Sequence, residues 1–393
     1  MRIVTFNVNG IRSTCDYYKQ EMISFNSMLR NVLKTDILCI QEHKTNVRQK
    51  LGHEVLSPED YDAYFAFPKR PRVHGYSGTA TFVKRGLNLK VLCFEYGLTG
   101  IYEESDHIIE PSSLQELKST FTKEQLEVLD GEARCFIIDF QSFILINVYC
   151  PVLNDGTNDE RYDFRIQFLR ALRMRSIGFL KAGRSVILTG DINATSEPWD
   201  HVDYVDGYQK WKSLNPDYQR KVADFIKTLP EIQSFMISPS NSISHKADVD
   251  VSDAVDNSEA VTSAIKQFYS DPGRLWLRRL LTEDGFADAY RICNPDALHG
   301  YTNWDQRTYS RQTNYGTRID TFLVGGALFS DPRIVTGCDR MFKVMGSDHC
   351  PVYLDLNDSL LPLINLNEPT KKRKMTEPRQ SRLKEFFKKE PKN

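Results

Sequence analysis

The run Ser185-Val-Ile-Leu-Thr-Gly-Asp-Ile-Asn193 constrains this chain more than any other stretch. Its apolar segment, Val186 to Leu188, has the length of a buried strand, and Gly190 lets the backbone turn sharply beside a ligand. Asp191 and Asn193 then stand at the strand's carboxyl end. In an extended backbone, residues two apart share a side, so a carboxylate and a carboxamide are expected to point together into whatever cleft lies there. Such a pair suits a phosphate under attack, with Asp191 taking a proton from water and Asn193 holding the group by a neutral hydrogen bond. The same residue types also cap turns after strands, so the pair needs support from elsewhere in the chain.

Of the 393 residues, 40% are hydrophobic, enough apolar material for one large α/β unit or two ordinary ones. No apolar run approaches the roughly 20 residues that span a bilayer, and the strand-like Arg2-Ile-Val-Thr-Phe6 leaves no room for a signal peptide. An intracellular protein with no membrane partner is expected. The eight cysteines (Cys15, Cys39, Cys93, Cys135, Cys150, Cys293, Cys338, Cys350) lack a C-x-x-C pair and sit mostly in apolar runs, which reads as buried reduced thiols. The formal charge of -1 hides an asymmetry. Residues 371–393 carry ten Lys or Arg against three Glu, net +7, leaving 41 basic and 49 acidic residues, net -8, in 1–370. A partner with a phosphate backbone must therefore meet a local basic surface or a bound cation.

Strand-like runs recur at Ile3 to Phe6, Ile37 to Ile40, Thr79 to Val83, Cys135 to Phe140 and Phe143 to Tyr149, the last two joined by Gln141-Ser142 as a hairpin. Phe164, Phe168 and Leu172 recur at helical spacing within a predicted helix from about Arg161 to Ala182, stopped by Gly183. Tyr208 to Phe235 predicts one or two helices, and 238–264, rich in Ser, Asp and Asn, reads as a mobile insertion. A helix near Arg274 to Thr282 and strands at Arg318 to Val324 and Val352 to Leu356 follow. The polar signatures fall into two similar halves, Asn7 with Gln41-Glu42 in one and Gly190-Asp191 with Ser347-Asp348-His349 in the other. The fold expected is α/β, a four-layer sandwich of two packed β-sheets flanked by helices over 1–357, with a flexible basic tail over 358–393.

Five stretches read together: Phe6-Asn-Val-Asn-Gly-Ile-Arg12, Ile40-Gln-Glu-His-Lys44, Asn147-Val-Tyr-Cys-Pro151, Gly190-Asp-Ile-Asn193, and Arg318-Ile-Asp320 with Gly346-Ser-Asp-His-Cys-Pro351. In order and spacing they resemble the exonuclease III family of apurinic/apyrimidinic endonucleases, within the wider endonuclease/exonuclease/phosphatase superfamily. Asn314-Tyr-Gly-Thr-Arg-Ile-Asp320, the long insertion and the tail look most like its AP endonuclease 2 branch.

The resemblance implies a Mg²⁺-dependent nuclease, Mn²⁺ being the alternate ion, with Glu42, Asn7, Asp191, Asn193, Asp348 and His349 around the metal. A buried-looking Glu42 needs a compensating cation, and Mg²⁺ prefers one or two carboxylates plus waters and phosphate oxygens. Asp348 is either a second ligand or a support for the first. The catalytic set implied is Tyr149, Asp191, Asn193, Asp320 and His349, with Asp320 accepting one ring N–H of His349 while the other nitrogen faces the phosphate. Asn9, Arg12, Lys44, Tyr149, Asn193, Trp304 and Arg318 are the implied DNA contacts. Abasic-site specialists of the family wall their pocket with two aromatics where this chain has Asn303 and Thr317; Trp304 is retained and Phe322 lies close by in sequence. The polar wall should lose about 1 to 3 kcal/mol of stacking contact. Weak abasic-site incision relative to 3′ to 5′ exonuclease and 3′-end cleaning is therefore expected. Val152 stands where the family often has an Asn, which leaves one phosphate contact open.

In the tail, Gln380, Leu383, Phe386 and Phe387 have the spacing of a short turn with a three-pronged apolar plug, and resemble the box that binds the sliding clamp PCNA. Lys371-Lys-Arg-Lys374 resembles a nuclear import signal, so a nuclear monomer is expected. No Cys follows Cys350 to supply the zinc finger common in this branch. Rival readings are a phosphomonoesterase or lipid or inositol phosphate phosphodiesterase of the same superfamily, and a clamp-bound scaffold with little catalysis.

Overall fold

The computed structural model describes residues 1–45, 51–69, 75–102, 108–152, 159–214 and 266–363, together with 220–222, 224 and 263. The expected insertion at 238–264, apart from residue 263, and the tail from 364 lie outside the described residues.

Two six-stranded sheets carry the architecture. Sheet 1 is built from β1 (Arg2–Asn7), β2 (Ile37–Gln41), β3 (Tyr61–Ala66), β4 (Thr79–Lys84), β13 (Val335–Arg340) and β14 (Val352–Leu356), in the order β13-β14-β1-β2-β4-β3. Sheet 2 contains β5 (Val91–Glu95), β6 (Cys135–Phe140), β7 (Ile144–Tyr149), β8 (Val186–Asp191), β9 (Phe286–Asp288) and β12 (Asp320–Gly325), in the order β5-β6-β7-β8-β12-β9. Each sheet has one parallel pair at its centre, β1 with β2 and β7 with β8, flanked by antiparallel neighbours. A small ribbon, β10 (Asn303–Trp304) with β11 (Gly316–Thr317), precedes β12.

Alternation along the strands makes the layers. In sheet 1, Ile3, Ile37, Cys39 and Leu354 turn one way and Val4, Phe6, Leu38, Ile40 and Phe82 the other. The first set meets Phe136, Ile138, Leu145, Ile187 and Phe322 of sheet 2 in the central core. The second packs with Ile11 and Tyr18 of α1 (Ile11–Gln20). On the far side of sheet 2, Ile137, Ile146, Val148, Val186 and Leu188 meet Leu126 and Leu129 of α2 (Lys123–Gly131), Phe168 and Leu172 of α3 (Asp159–Lys181) and Trp276, Leu277 and Leu280 of α5 (Pro272–Thr282). Between these last two run α4 (Val202–Leu214), and after them α6 (Ala289–Cys293). Three apolar interfaces thus separate four layers, the α/β sandwich expected.

Local chemistry sets the helix starts. Thr122 and Gln125 form a reciprocal capping box on α2, and the Asp271 carboxylate accepts the Arg274 N–H at 2.9 Å ahead of Pro272 on α5. The eight cysteines are free thiols, and among the described residues no helix is long and apolar enough to cross a membrane.

One expectation changes its cause. Gly190 does not end its strand; β8 continues through Asp191, and Gly190 sits within it at φ 137°. A Cβ there would lie 1.9 Å from the Val148 carbonyl oxygen, so glycine is required by the close approach of β7.

Candidate active site

The carboxyl ends of the two parallel pairs and the amino ends of β12 and the segment before β14 share one rim. Asn7 ends β1 opposite Gln41, and Asp191 ends β8 opposite Tyr149. Asp320 opens β12 directly opposite Asp191. His349 lies three residues ahead of β14 and bridges to Asn303 of the ribbon. Four residues here hold left-handed backbones without being glycine: Asn9 (φ 46°), Glu42 (φ 54°), Lys44 (φ 51°) and Asn193 (φ 50°). Such conformations cost on the order of 1 kcal/mol each and concentrate where a site must be shaped.

The side chains converge. The Asn7 amide donates 2.9 Å to Glu42 Oε1 and 2.8 Å to Asp191 Oδ2, joining the two sheets across 184 residues of sequence. The Asn9 N–H returns to Asn7 Oδ1 at 3.0 Å. Lys44 Nζ lies 3.0 Å from Glu42 Oε2 and also donates to Asn9 Oδ1. The imidazole Nδ1–H of His349 donates to Asp320 Oδ2 at 2.7 Å, and its Nε2 stands 3.9 Å from Asp191 Oδ2. Tyr149 is buried beside Glu42, with the Arg134 guanidinium stacked 4.4 Å from its ring.

Asn193 reaches the site by a different route from the one expected. Its N–H donates to Asp191 Oδ1 at 2.9 Å, an Asx turn, while its side-chain amide donates to the Cys150 carbonyl at 2.8 Å. A turn, not strand alternation, therefore brings the two together.

Electrostatics separate the groups. Burial, with Asp320 and Glu42 nearby, raises the Asp191 carboxyl to about 7, although His349 works against this. Burial opposes charge on His349, yet the Asp320 carboxylate and the hydrogen bond it accepts, aided by Asp191, push the imidazole up to about 10. Burial also opposes ionisation of Glu42, but Lys44 and the Asn7 amide hold its carboxyl below the usual range. Burial, followed by the Glu42 charge, pushes the Tyr149 phenol up. The rim thus holds a base near neutrality beside a protonated imidazole.

The donor set fits a hard divalent cation. The Glu42 and Asp191 carboxylates are joined through the Asn7 amide, and no thiol joins them among the described residues. His349, expected at the metal, has its ring within 4.8 Å of Asp191 and Asp320, but as a protonated imidazole donating to Asp320 it is not a ligand. Asp320 Oδ1 is buried and takes no hydrogen bond among the described residues. Asp348 stands outside the cluster, its Oδ1 3.1 Å from the Ser347 hydroxyl oxygen.

Other expected contacts lie elsewhere. Arg318, expected on DNA, is 4% exposed, and its guanidinium is bound at 2.7 Å to both oxygens of Asp200 and to Asp288 Oδ2. Trp304 is 2% exposed, its indole donating to Asn314 Oδ1 at 3.3 Å. Phe322 lies in the core between the sheets rather than at a pocket wall. Asn303 and Thr317 are register partners in the ribbon, and the Asn303 bridge sets that pair beside His349. Arg12 is exposed and Lys44 half-buried at the rim.

Sequence reasoning missed the polar bridge behind the rim. Gln41 Nε2 donates 2.7 Å to Asn147 Oδ1, and the Asn147 amide donates 2.9 Å to the Ala80 carbonyl, fastening the two parallel pairs together. Both residues sit in the motifs quoted, but their partners appear only once the sheets face each other. Ser347 was also passed over: its hydroxyl donates to the Asn7 carbonyl at 2.8 Å and accepts the His349 N–H at 3.2 Å.

Two packed mixed sheets that close a carboxylate, a carboxylate-held imidazole and an amide-bridged Glu onto one rim define a class of phosphoester-cleaving sandwich proteins. The chain belongs to the Endonuclease/Exonuclease/phosphatase family, which it matches over residues 4–349. It is 32% identical over 371 residues to the DNA-(apurinic or apyrimidinic site) endonuclease 2 of Schizosaccharomyces pombe, covering 91% of this chain and 58% of that protein. The Mus musculus protein of the same name is 31% identical, covering 92% and 61%. A Bacillus subtilis exodeoxyribonuclease is 28% identical, covering 91% and 100%. The crystal structure of the Xenopus laevis APE2 catalytic domain superposes with a TM-score of 0.61 at 27% identity, covering 91% of each chain. The chain spans about three-fifths of the length of the first two relatives.

Proposed function

We propose that this protein is a divalent-metal-dependent DNA repair nuclease of the AP endonuclease 2 type. The observation that carries the reading is the Asn7 amide joining Glu42 to Asp191, with His349 Nε2 3.9 Å from that same Asp191 oxygen. A phosphate entering the rim meets a carboxylate able to take a proton from water and an imidazolium able to stabilise the charge that builds on oxygen. Asp191 acts as the base and His349 supports the phosphoryl oxygen, kept in orientation by Asp320. Asn193 and Tyr149 hold the phosphate, and cleavage leaves a 3′-hydroxyl. Glu42, Asp191, Asn7 and Asn193 would hold Mg²⁺ or Mn²⁺, which when bound supplies positive charge against that on the phosphate.

The polar pair Asn303 and Thr317 beside His349 supports 3′ to 5′ exonuclease and 3′-phosphodiesterase activity over abasic-site incision. The names of the relatives point to DNA as the substrate. Gln380, Leu383, Phe386 and Phe387 would bind the sliding clamp, and Lys371 to Lys374 would direct the chain to the nucleus.

Labelled recessed-end, nicked and abasic duplexes, tested beside inositol phosphates with Mg²⁺, Mn²⁺ or EDTA, check the assignment. Cleavage is expected on the DNA substrates with metal only, fastest at 3′ ends. Turnover of inositol phosphates alone would replace the reading with the lipid or inositol branch of the superfamily.

A further inference from the structure

We propose that Arg311 is a positioning residue for His349, an inference that rests on the nuclease reading above. Its guanidinium grips the loop that carries the imidazole at four backbone carbonyls. Nη2 donates to Phe342 at 2.6 Å and Val344 at 2.8 Å, while Nη1 donates to His349 at 3.3 Å and Ser347 at 3.4 Å. The group is stacked 4.7 Å from the Trp304 ring and 5.4 Å from that of Phe342, whose own rings meet edge to face at 5.5 Å.

This pairing is unusual in its chemistry. The buried arginines 318 and 175 face carboxylates, whereas no carboxylate pairs with Arg311 among the described residues. A half-buried cation held only by neutral carbonyls contributes little as an ion pair. It satisfies a turn of backbone that lies outside any strand and would otherwise leave several acceptors unmade.

The geometry of the loop fixes where the imidazole points. His349 follows Ser347 and Asp348, and Trp304 donates its backbone N–H to the Asp348 carbonyl at 3.0 Å. The Ser347 hydroxyl ties the same turn to the end of β1. Arg311 adds its own hold on the Ser347 and His349 carbonyls, so the His349 turn is anchored before substrate arrives. Lysine cannot reproduce this, because one ammonium offers three donors from a single point and does not stack as a planar fork does.

Arg311→Lys and Arg311→Ala test the assignment on a recessed-end duplex with Mg²⁺. Both are expected to lower kcat by on the order of 10- to 100-fold, the scale of a misplaced catalytic group, with KM held within about twofold. Added guanidinium should restore part of the Arg311→Ala rate and leave wild type unchanged. Independently of turnover, the downfield proton resonance of His349 Nδ1–H, identified by its loss in His349→Gln, should broaden or vanish in Arg311→Lys. A kcat within twofold of wild type, a KM that rises as far as kcat falls, or an unchanged resonance would overturn the proposal. A wild type that leaves DNA uncut would instead overturn the nuclease reading, and the resonance would still decide the role of Arg311.

Discussion

Laid over one another, the two sheets run the same pattern of strand directions, with β1, β2 and β14 in sheet 1 matching β8, β7 and β12 in sheet 2. Their rims carry different chemistry. Where sheet 2 ends its central strand in Asp191, sheet 1 ends in Asn7; where sheet 2 opens the neighbouring strand with Asp320, sheet 1 leads into it with His349. The difference is what makes a site. An aspartate at both central ends would place two carboxylates at 2.8 Å beside Glu42, whereas the amide donates to both acids and lets them approach. Likewise an Asp facing a His lets the two members carry opposite charges at neutral pH, whereas two acids at that place would repel unless one kept its proton.

The largest effect expected is from erasing the sheet 2 member of the comparison. Asp191→Asn should lower kcat on the order of 10²- to 10⁴-fold while DNA binding in EDTA, followed by fluorescence anisotropy, stays within about twofold. A fall in binding equal to that in rate would assign Asp191 to substrate affinity instead.

The next effect concerns the sheets' outer edges. The edge strand β5 of sheet 2 carries a fully buried ion pair, Glu95 with Arg175 of α3 at 2.7 Å. Arg175→Met strands the carboxylate and should cost about 3 to 5 kcal/mol in urea unfolding. A loss under 1 kcal/mol would show that the pair is dispensable to sheet 2.

Asn7→Asp makes the two rims alike and should cost roughly tenfold in kcat for each unit by which the Asp191 pKa rises. Its signature is in the pH profile. In wild type, kcat/KM should rise as Asp191 loses its proton near 7 and fall as His349 loses its proton near 10. A divalent ion beside Asp191 would draw the acidic limb lower. Asn7→Asp should move that limb upward and leave the alkaline limb in place; equal movement of both would mean that His349 is not the second group. The same signs govern stability. The raised His349 value means that its contribution is full below the ordinary histidine value and is lost as pH rises through about 10.

Sequence periodicity located the strands of the parallel pairs and the long helix α3, because those elements are buried along one face and their apolar spacing is regular. It passed over β3, β5 and β13, whose residues mix Asp, Tyr, Cys and Gly and gain strand form from their neighbours. At the site, residues at or beside strand termini were legible, as Asn7, Glu42, Asp191, Asp320 and His349 show by their shared rim. Arg318 was misplaced because a charged residue beside an active-site motif reads as a substrate contact. Its two acidic partners at 200 and 288 lie 118 and 30 residues away in sequence. Arg311 carried no signal at all, since what it binds is backbone.

The first strand sits between β2 and β14, and the terminal amine of Met1 donates to the Leu356 carbonyl at 2.9 Å while Arg2 pairs with Asp355. Segments some 350 residues apart must therefore meet before β14 and β13 can join sheet 1. During synthesis, Glu42 and Asp191 leave the ribosome long before that partner and His349 emerge, so the nascent chain cannot yet assemble the rim. Closure of the rim is therefore a late event of folding, by topology alone.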